Sequence, residues 1–203
     1  LYEALLPYCE PHFLPCSFGY RRGRSVPEGI AAVCAARDGG RRWVVDGDIR
    51  NCFDHIDRDK VLAMLAAWVP DRRLVQLTGQ FLRARILNSA SGGRESAGAS
   101  QGSVLSPLLC NVYLHSFDVA MGGQPSPTEE GAALGACSVV RFADDFVLLT
   151  GRKREAEAAR ERAEAALRAL KMELHPVKTK VIHFNEGFKF LGHFFLRGEV
   201  FPL

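Results

Sequence analysis

The sequence of residues 139–149, VVRFADDFVLL, places two adjacent carboxylates, Asp144 and Asp145, between two apolar runs. Each run has the length and the β-branched and aromatic content of a β-strand, so the segment predicts a hairpin with the two carboxylates at its tip. Adjacent carboxylates repel each other, and a divalent cation, which prefers oxygen ligands, would relieve that repulsion. The alternative is an ordinary turn, in which Asp is a common residue.

A third carboxylate ends another predicted strand, at residues 43–49 (WVVDGDI). Alternation along this strand places Asp46 and Asp48 on the face opposite to Val45. Beside the hairpin tip, such a strand end would bring three carboxylates into one cleft, the usual protein share of a two-magnesium phosphoryl-transfer site. The alternative is that Asp46, Asp48 and Asp54 are only strand-end and turn residues.

Around these two segments the chain resembles a reverse transcriptase, and most of all the group II intron type. Blocks similar to that family's stand in the family's order: a fingers block (17–25), a first palm block (48–54), a nucleotide-pocket block (101–111), an aromatic-X-Asp-Asp box (142–145), the next palm block (170–180) and a primer-grip block (190–192). Related enzymes tied to CRISPR adaptation share the Gln-Gly-X-X-X-Ser-Pro form of the nucleotide-pocket block, so the biological system stays open.

The predicted secondary structure agrees with the fold that this resemblance implies. Strands are expected at 43–49, in both arms of the hairpin, at 181–184 and at 188–196; helices at 27–37 (with Ser25 as N-cap), 59–68, 71–87, 104–121 and 154–171; and loops at 88–100 and 122–135. The β-α-β-β-α-β order indicates an α+β fold. We expect a polymerase palm with a ferredoxin-like core, in which an antiparallel sheet carries helices on one face, plus fingers elements.

The resemblance also implies a domain organisation. We expect a fingers portion at 1–42 and a palm at 43–203, with a fingers insertion around 55–100. The family has a helical thumb after the primer grip, and none follows in this sequence. We therefore expect a fingers–palm portion of a longer polypeptide, whose further domains include the thumb and, as options, a maturase, endonuclease or integrase-like segment. The alternative is a compact relative.

The metal ligands and the catalytic residues follow from the resemblance. Asp48, Asp144 and Asp145 match the catalytic carboxylates. Asp48 and Asp144 would hold two Mg²⁺ ions, for which Mn²⁺ is a substitute, with Asp145 more peripheral. The carbonyl of Ile49 would add an oxygen ligand. Asp46, two residues before the matching Asp48, is expected to support the site, with metal ligation as the alternative. In such a site the metals activate the primer's 3′ oxygen and stabilise the leaving pyrophosphate.

The nucleotide-binding residues that the resemblance implies are Arg21, Arg24, Phe53, Gln101, Gly102 and Lys178. The two arginines match residues that clasp the triphosphate, whose geometry a guanidinium fork suits. Gln101 would line the pocket, and Gly102 would let the backbone approach the substrate. Phe53 matches an aromatic residue that excludes a 2′-hydroxyl, with a core aromatic as the alternative.

The last two assignments concern the leaving group and the primer. Lys178 would lie near the leaving pyrophosphate, and the alternative is a surface lysine. Phe190, Leu191 and Gly192 match the turn that steadies the primer end, with a core strand as the alternative.

Composition limits the class of protein. With 203 residues and 47% hydrophobic content, the chain can bury one core with two lobes. The net charge is +3, and the Arg clusters suit phosphate contacts, with ordinary surface charge as the alternative. The six cysteines show no metal or disulfide spacing, and no signal peptide or membrane span is visible. We therefore expect a cytoplasmic protein, and the resemblance favours a prokaryotic one.

The expected function is that of an RNA-directed DNA polymerase, which extends a DNA or RNA primer on an RNA template with dNTPs. Two alternatives stay open. One is a non-catalytic RNA-binding module of a larger retroelement or CRISPR-adaptation protein, and the isolated portion could itself lack activity. The other is a related polymerase with a different template or nucleotide choice.

Overall fold

The computed structural model of the chain describes residues 1–89, 104–122 and 137–203. Helices in these ranges are α1 (Tyr2–Cys9), α2 (Val26–Asp38), α3 (Arg58–Trp68), α4 (Arg72–Ser89), α5 (Ser106–Ala120) and α6 (Lys153–Ala169), with short 3-10 helices at Glu10–His12 and Cys52–His55. Strands in the same ranges are β1 (Trp43–Asp48), β2 (Ser138–Phe142), β3 (Asp145–Thr150), β4 (Lys180–His183), β5 (Phe188–Phe190), β6 (His193–Leu196) and β7 (Glu199–Pro202).

The central sheet has four strands in the order β2-β3-β1-β4, and each strand is antiparallel to its neighbours. Along the chain, α5 lies between β1 and β2, and α6 lies between β3 and β4. This order and this connectivity are those of a ferredoxin-like core. The predicted α+β palm fold is therefore confirmed. The register between β1 and β3 sets Asp48 directly opposite Asp145.

Two hydrophobic clusters cover the two faces of this sheet. The larger cluster joins α5 and α6 to the face that carries Val45 and Phe146. The two palm helices thus share one face, as predicted. The smaller cluster joins α2, which lies in the predicted fingers portion, and the aromatic residues of β5 and β6 to the face that carries Val44 and Val147. Both faces of β3 are covered, which explains its continuous apolar run from Phe146 to Leu149.

A side-chain cap explains where α3 begins, whereas the start of α2 lacks such a cap. The carboxylate of Asp57 accepts hydrogen bonds from the backbone N–H groups of Asp59 and Lys60, which fixes the start of α3. Ser25 occupies the N-cap position of α2, as predicted, but its hydroxyl donates to the carboxylate of Glu28 and no side-chain bond caps the backbone.

The prediction of one strand over 188–196 is wrong. The segment forms β5 and β6, joined by a tight turn in which Leu191 and Gly192 have φ values of 50° and 71°. Gly adopts such left-handed angles without strain, so Gly192 permits a reversal inside an otherwise apolar run. Elsewhere α4 extends through Ser89, beyond its predicted end, and α5 begins at Ser106. The other predicted loop residues, 90–100 and 123–135, lie outside the described ranges.

No helix in the described ranges is long and apolar enough to span a lipid bilayer.

Candidate active site

The acidic turn between β2 and β3 forms the centre of the candidate site. Ala143 and Asp144 make the turn, and Ala143 is buried with φ 59°, a left-handed angle that is unusual for a residue with a Cβ. The backbone N–H of Ile49 donates to the carbonyl of Asp144 over 3.4 Å. This bond ties the hairpin tip to the end of β1, where Asp48 faces Asp145 across the ladder. The hairpin predicted from the sequence is present, with the two adjacent carboxylates at its tip.

Burial and neighbouring negative charges raise the pKa of three carboxyl groups at this turn. Although Asp145 as a whole is exposed, partial desolvation of its carboxyl group and the charges of Asp144 and Asp48 raise its pKa to about 6. Burial and the charge of Asp48 raise the pKa of Asp144 as well. Asp46 has its pKa raised to about 6, first by burial and then by the charge of Asp145. Crowded like charges of this kind favour a cation at the site.

Lys178 places a cation against one of these carboxylates. Its Nζ lies 3.0 Å from Oδ2 of Asp48, and this bond raises the pKa of the lysine. The preceding segment is anchored to the end of β1, because the backbone N–H of His175 donates to the carbonyl of Asp48 over 2.8 Å and Leu174 pairs with Ile49. Lys178 is 62% exposed and is held beside the acidic turn. Its role at a pyrophosphate stays a prediction.

A divalent cation fits the donor set in charge and in atom type, since hard cations take carboxylate and carbonyl oxygens. No group of three His, Cys, Asp or Glu side chains in the described part of the chain is arranged to hold a metal ion. The assignment of Asp48, Ile49, Asp144 and Asp145 as ligands therefore remains a prediction. For metal binding, the carboxylates would have to move closer together, and the ion pair between Lys178 and Asp48 would have to break.

The two fingers arginines lie in different environments. The guanidinium of Arg21 is nearly buried: it donates to the carboxylate of Glu10 and to the carbonyls of Leu14 and Ser17, at 2.7–2.8 Å. These contacts hold the fingers block against the start of the chain and do not present Arg21 to a ligand. Arg24 lies over the ring of Phe18, 5.2 Å from its centroid, and is half-buried. Of the two, Arg24 is the better placed for a phosphate.

Phe53 lies in the 3-10 helix that follows Asp48. It is half-buried and packs against the larger hydrophobic cluster. The turn before it is sharp, because Asn51 has φ 46°. Partial exposure leaves part of the ring available to a ligand, and the steric role of Phe53 stays a prediction. Gln101 and Gly102 lie outside the described residues.

The predicted primer-grip residues span the last residue of β5, Phe190, and the turn that leads to β6. Phe190 is buried, Leu191 is half-buried and Gly192 is exposed. A Cβ on Gly29 of α2 would lie 3.0 Å from Cδ1 of Leu191, so the turn packs closely on the predicted fingers helix. These contacts fit the core-strand alternative as well as a primer contact.

One element of the site was not predicted: a buried polar network around Arg141. This side chain is fully buried and donates to both carboxylate oxygens of Asp118, to Oδ1 of Asn111, to Oγ of Ser17 and to the carbonyl of Ala143, at 2.6–3.0 Å. Its bond to Ala143 supports the acidic turn directly. The sequence did mark Arg141, because it interrupts an otherwise apolar strand. Its partners could not be predicted, because Ser17, Asn111 and Asp118 are distant from it in the sequence.

Comparison with known proteins agrees with this geometry. The family model for "Reverse transcriptase (RNA-dependent DNA polymerase)" matches residues 1–195. The chain is 31% identical over 224 residues to Protein YkfC of Escherichia coli, covering 96% of this chain and 58% of that protein. It is 28% identical over 238 residues to the group II intron-encoded protein LtrA of Lactococcus lactis, covering 91% of this chain and 40% of that protein. The chain thus spans less than two thirds of these relatives.

Solved structures show the same fold. Telomerase from Candida albicans, in complex with a fragment of telomeric RNA, superposes with a TM-score of 0.67 at 13% identity, covering 99% of this chain and 36% of that one. Apo telomerase from Candida tropicalis gives 0.67 at 12% identity, covering 98% of this chain and 39% of that one. The fold agrees with these polymerases, and the family model matches nearly the whole sequence. The chain therefore belongs to the reverse transcriptase (RNA-dependent DNA polymerase) family.

Proposed function

We propose that this chain carries the polymerase site of an RNA-directed DNA polymerase, which extends a DNA or RNA primer on an RNA template with dNTPs. The observation that supports this proposal most is the acidic cluster, in which Asp48 faces Asp145 and the turn residue Asp144 is hydrogen-bonded through its carbonyl to the end of β1. Family membership supports the reaction class, and the active protein would include the segments that the relatives have beyond this portion.

The carboxylate oxygens of Asp48 and Asp144 are the groups we assign to two Mg²⁺ ions, with Asp145 at the edge of the site. Bound there, the metals would lower the pKa of the primer's 3′ hydroxyl and neutralise the leaving pyrophosphate. In the structure Lys178 forms an ion pair with Asp48. We propose that the lysine moves from Asp48 to the triphosphate when substrate binds. Its long, exposed side chain gives it that reach.

The experiment that tests this function is primer extension by the full-length protein on an RNA template, with dNTPs or rNTPs. We expect extension with dNTPs in Mg²⁺ or Mn²⁺ and its complete loss on chelation by EDTA, because hard cations complete the phosphoryl-transfer site. Matched reactions on a DNA template measure template choice. Full extension in EDTA, or no extension with any nucleotide and either metal, would contradict the proposal.

A second experiment concerns sugar selection at Phe53. Replacing Phe53 with Ala or Val is expected to raise rNTP use relative to dNTP use, because loss of the ring opens space for a 2′-hydroxyl. One steric exclusion is worth about 1–3 kcal/mol, or roughly 10- to 200-fold in the ratio of kcat/KM values. Phe81 also packs partly buried on the larger cluster, in α4, so Phe81→Val is a matched control. An unchanged dNTP/rNTP ratio would assign Phe53 to the core alone.

A non-catalytic RNA-binding module is the second candidate function, and two observations favour it. Arg21 and Lys178, two of the groups assigned to the triphosphate, are paired with Glu10 and Asp48. One relative, 31% identical over 87 residues, is the Nuclear intron maturase 1 of Arabidopsis thaliana mitochondria. RNA binding by the full-length protein without extension in the assay above would support this function.

A further inference from the structure

Tyr20 is an exposed aromatic residue beside the acidic turn, and core packing does not explain its position. Tyr20 is 54% exposed, and its backbone has φ 57°, an angle that bulky residues rarely adopt. Strained backbone of this kind persists only where the surrounding structure holds it, and it clusters at functional sites. The contacts that hold the backbone of Tyr20 therefore also fix the position of its ring.

The residue before Tyr20 locks this segment to the turn. A Cβ on Gly19 would lie 2.5 Å from the backbone nitrogen of Ala143 and 2.9 Å from the carbonyl carbon of Phe142, so the two backbones touch where only glycine fits. Nδ2 of Asn111 donates to the carbonyl of Gly19 over 2.8 Å. Because Asn111 also accepts from Arg141, the buried network fixes the fingers block and the turn together.

The ring of Tyr20 is thereby placed beside Phe142. The two ring centroids are 6.2 Å apart with an interplanar angle of 48°, a tilted aromatic pair. Phe142 is half-buried on the smaller hydrophobic cluster, whereas Tyr20 faces solvent. Phe142 is two residues from Asp144 in the sequence. The pair thus forms an exposed aromatic surface next to the acidic turn.

We infer that Tyr20 is a nucleoside-binding residue, whose ring, braced by Phe142, stacks on the base or packs on the sugar of a nucleotide at the acidic turn. The inference rests on the proposed function and deepens it by naming a ligand contact. Every base has a π-face, so an exposed ring beside the reacting centre suits this ligand class. The nucleoside unit comes either from the primer's 3′ end or from the incoming dNTP.

The test compares Tyr20→Ala and Tyr20→Phe in the full-length protein, with Tyr8→Ala as the matched control. Tyr8 is another exposed tyrosine, in α1. Affinity for a labelled RNA–DNA primer–template is measured by fluorescence anisotropy without divalent cation, using a primer with a normal or an abasic 3′ nucleotide. The KM for dNTP is measured separately in extension reactions.

Loss of one stacked base weakens binding by about tenfold or more. If the primer end is the ligand, Tyr20→Ala weakens binding of the normal primer by that factor, Tyr20→Phe recovers most of it, and the abasic primer abolishes the difference. If the dNTP is the ligand, Tyr20→Ala raises the KM for dNTP instead. Tyr20→Asn, which tolerates the left-handed backbone, repeats the Ala result if that variant melts early.

The inference is overturned if Tyr20→Ala matches Tyr8→Ala in both primer affinity and KM. These readouts also separate the inference from the proposed function. If the wild-type protein never extends primers but Tyr20→Ala weakens its base-dependent primer affinity, the nucleoside contact stands and the proposed polymerase function fails. If the wild-type protein extends primers and Tyr20→Ala changes neither primer affinity nor the KM for dNTP, the polymerase function stands and the nucleoside contact fails.

Discussion

Replacing Asp144 or Asp48 with Asn is expected to abolish primer extension by the full-length protein while leaving the fold intact. Asn keeps the shape of the side chain but removes the charge that would hold a divalent cation. Metal stabilisation of the developing charge is worth several kcal/mol, and about 4 kcal/mol corresponds to roughly a thousandfold loss of rate. Extension by both variants should therefore fall by at least that factor.

The fold of the Asp144→Asn variant is expected to survive for an electrostatic reason. Burial and the neighbouring charge of Asp48 raise the pKa of Asp144, which means that the folded state disfavours its ionised form. A neutral Asn removes that cost, so the melting temperature should be unchanged or slightly higher. Asp38→Asn is the matched control: this carboxylate is 67% exposed and bonds only its neighbour Arg37 among the described contacts.

The measurements are extension rate, thermal melt and Mn²⁺ binding by calorimetry. Both site variants should lose extension and bind Mn²⁺ more weakly, whereas Asp38→Asn should match the wild type. Substantial residual extension by Asp48→Asn or Asp144→Asn, together with a normal melt, would remove these residues from the catalytic set.

The sequence predicted the fold and the acidic turn because local patterns determine both. Apolar runs on either side of Asp144 and Asp145 give a hairpin whatever surrounds them, and alternation in β1 gives the face of Asp48. The pairing of Asp48 with Asp145 then follows from the sheet order of a ferredoxin-like core.

Other features depend on contacts that no local pattern carries. Residues 188–196 have apolar residues on both sides of Gly192, so periodicity could not separate one strand from a hairpin. The burial of Arg21 depends on Glu10, eleven residues earlier, which the fold brings to it. The contact between Gly19 and Ala143 likewise exists only after the fingers block and the turn have folded together.

Removing the guanidinium of Arg141 is the second change with a large expected effect, and it acts on stability. Arg141 and Asp118 form an ion pair in which both side chains are fully buried. Burial lowers the pKa of Arg141, but the charge of Asp118 and its hydrogen bond outweigh burial and raise the pKa above its usual value, so the arginine stays charged. Arg141→Met would remove both hydrogen bonds that the buried carboxylate of Asp118 accepts within the described part of the chain.

Breaking a buried pair in this way costs about 3–5 kcal/mol. Domains of this size unfold with a free energy of about 5–15 kcal/mol, and each kcal/mol corresponds to roughly 2–4 °C. Arg141→Met should therefore melt roughly 6–20 °C below the wild type. Arg160→Met is the control, because Arg160 is 46% exposed and pairs with Glu164 on the surface of α6 at 3.3 Å. Its effect should stay below about 0.5 kcal/mol.

The double variant Arg141→Met/Asp118→Leu distinguishes the ion pair from the support of the turn. With both charges of the pair removed, much of the lost stability should return, because apolar residues of similar volume often replace a buried pair at little cost. The hydrogen bond from Arg141 to the carbonyl of Ala143 is still missing, so the turn that carries Asp144 has lost a direct contact. Primer extension by the double variant should stay well below the wild type even where its melting temperature recovers. If stability and extension return together, Arg141 serves the core alone, and an unchanged melt in Arg141→Met would contradict the energetic argument itself.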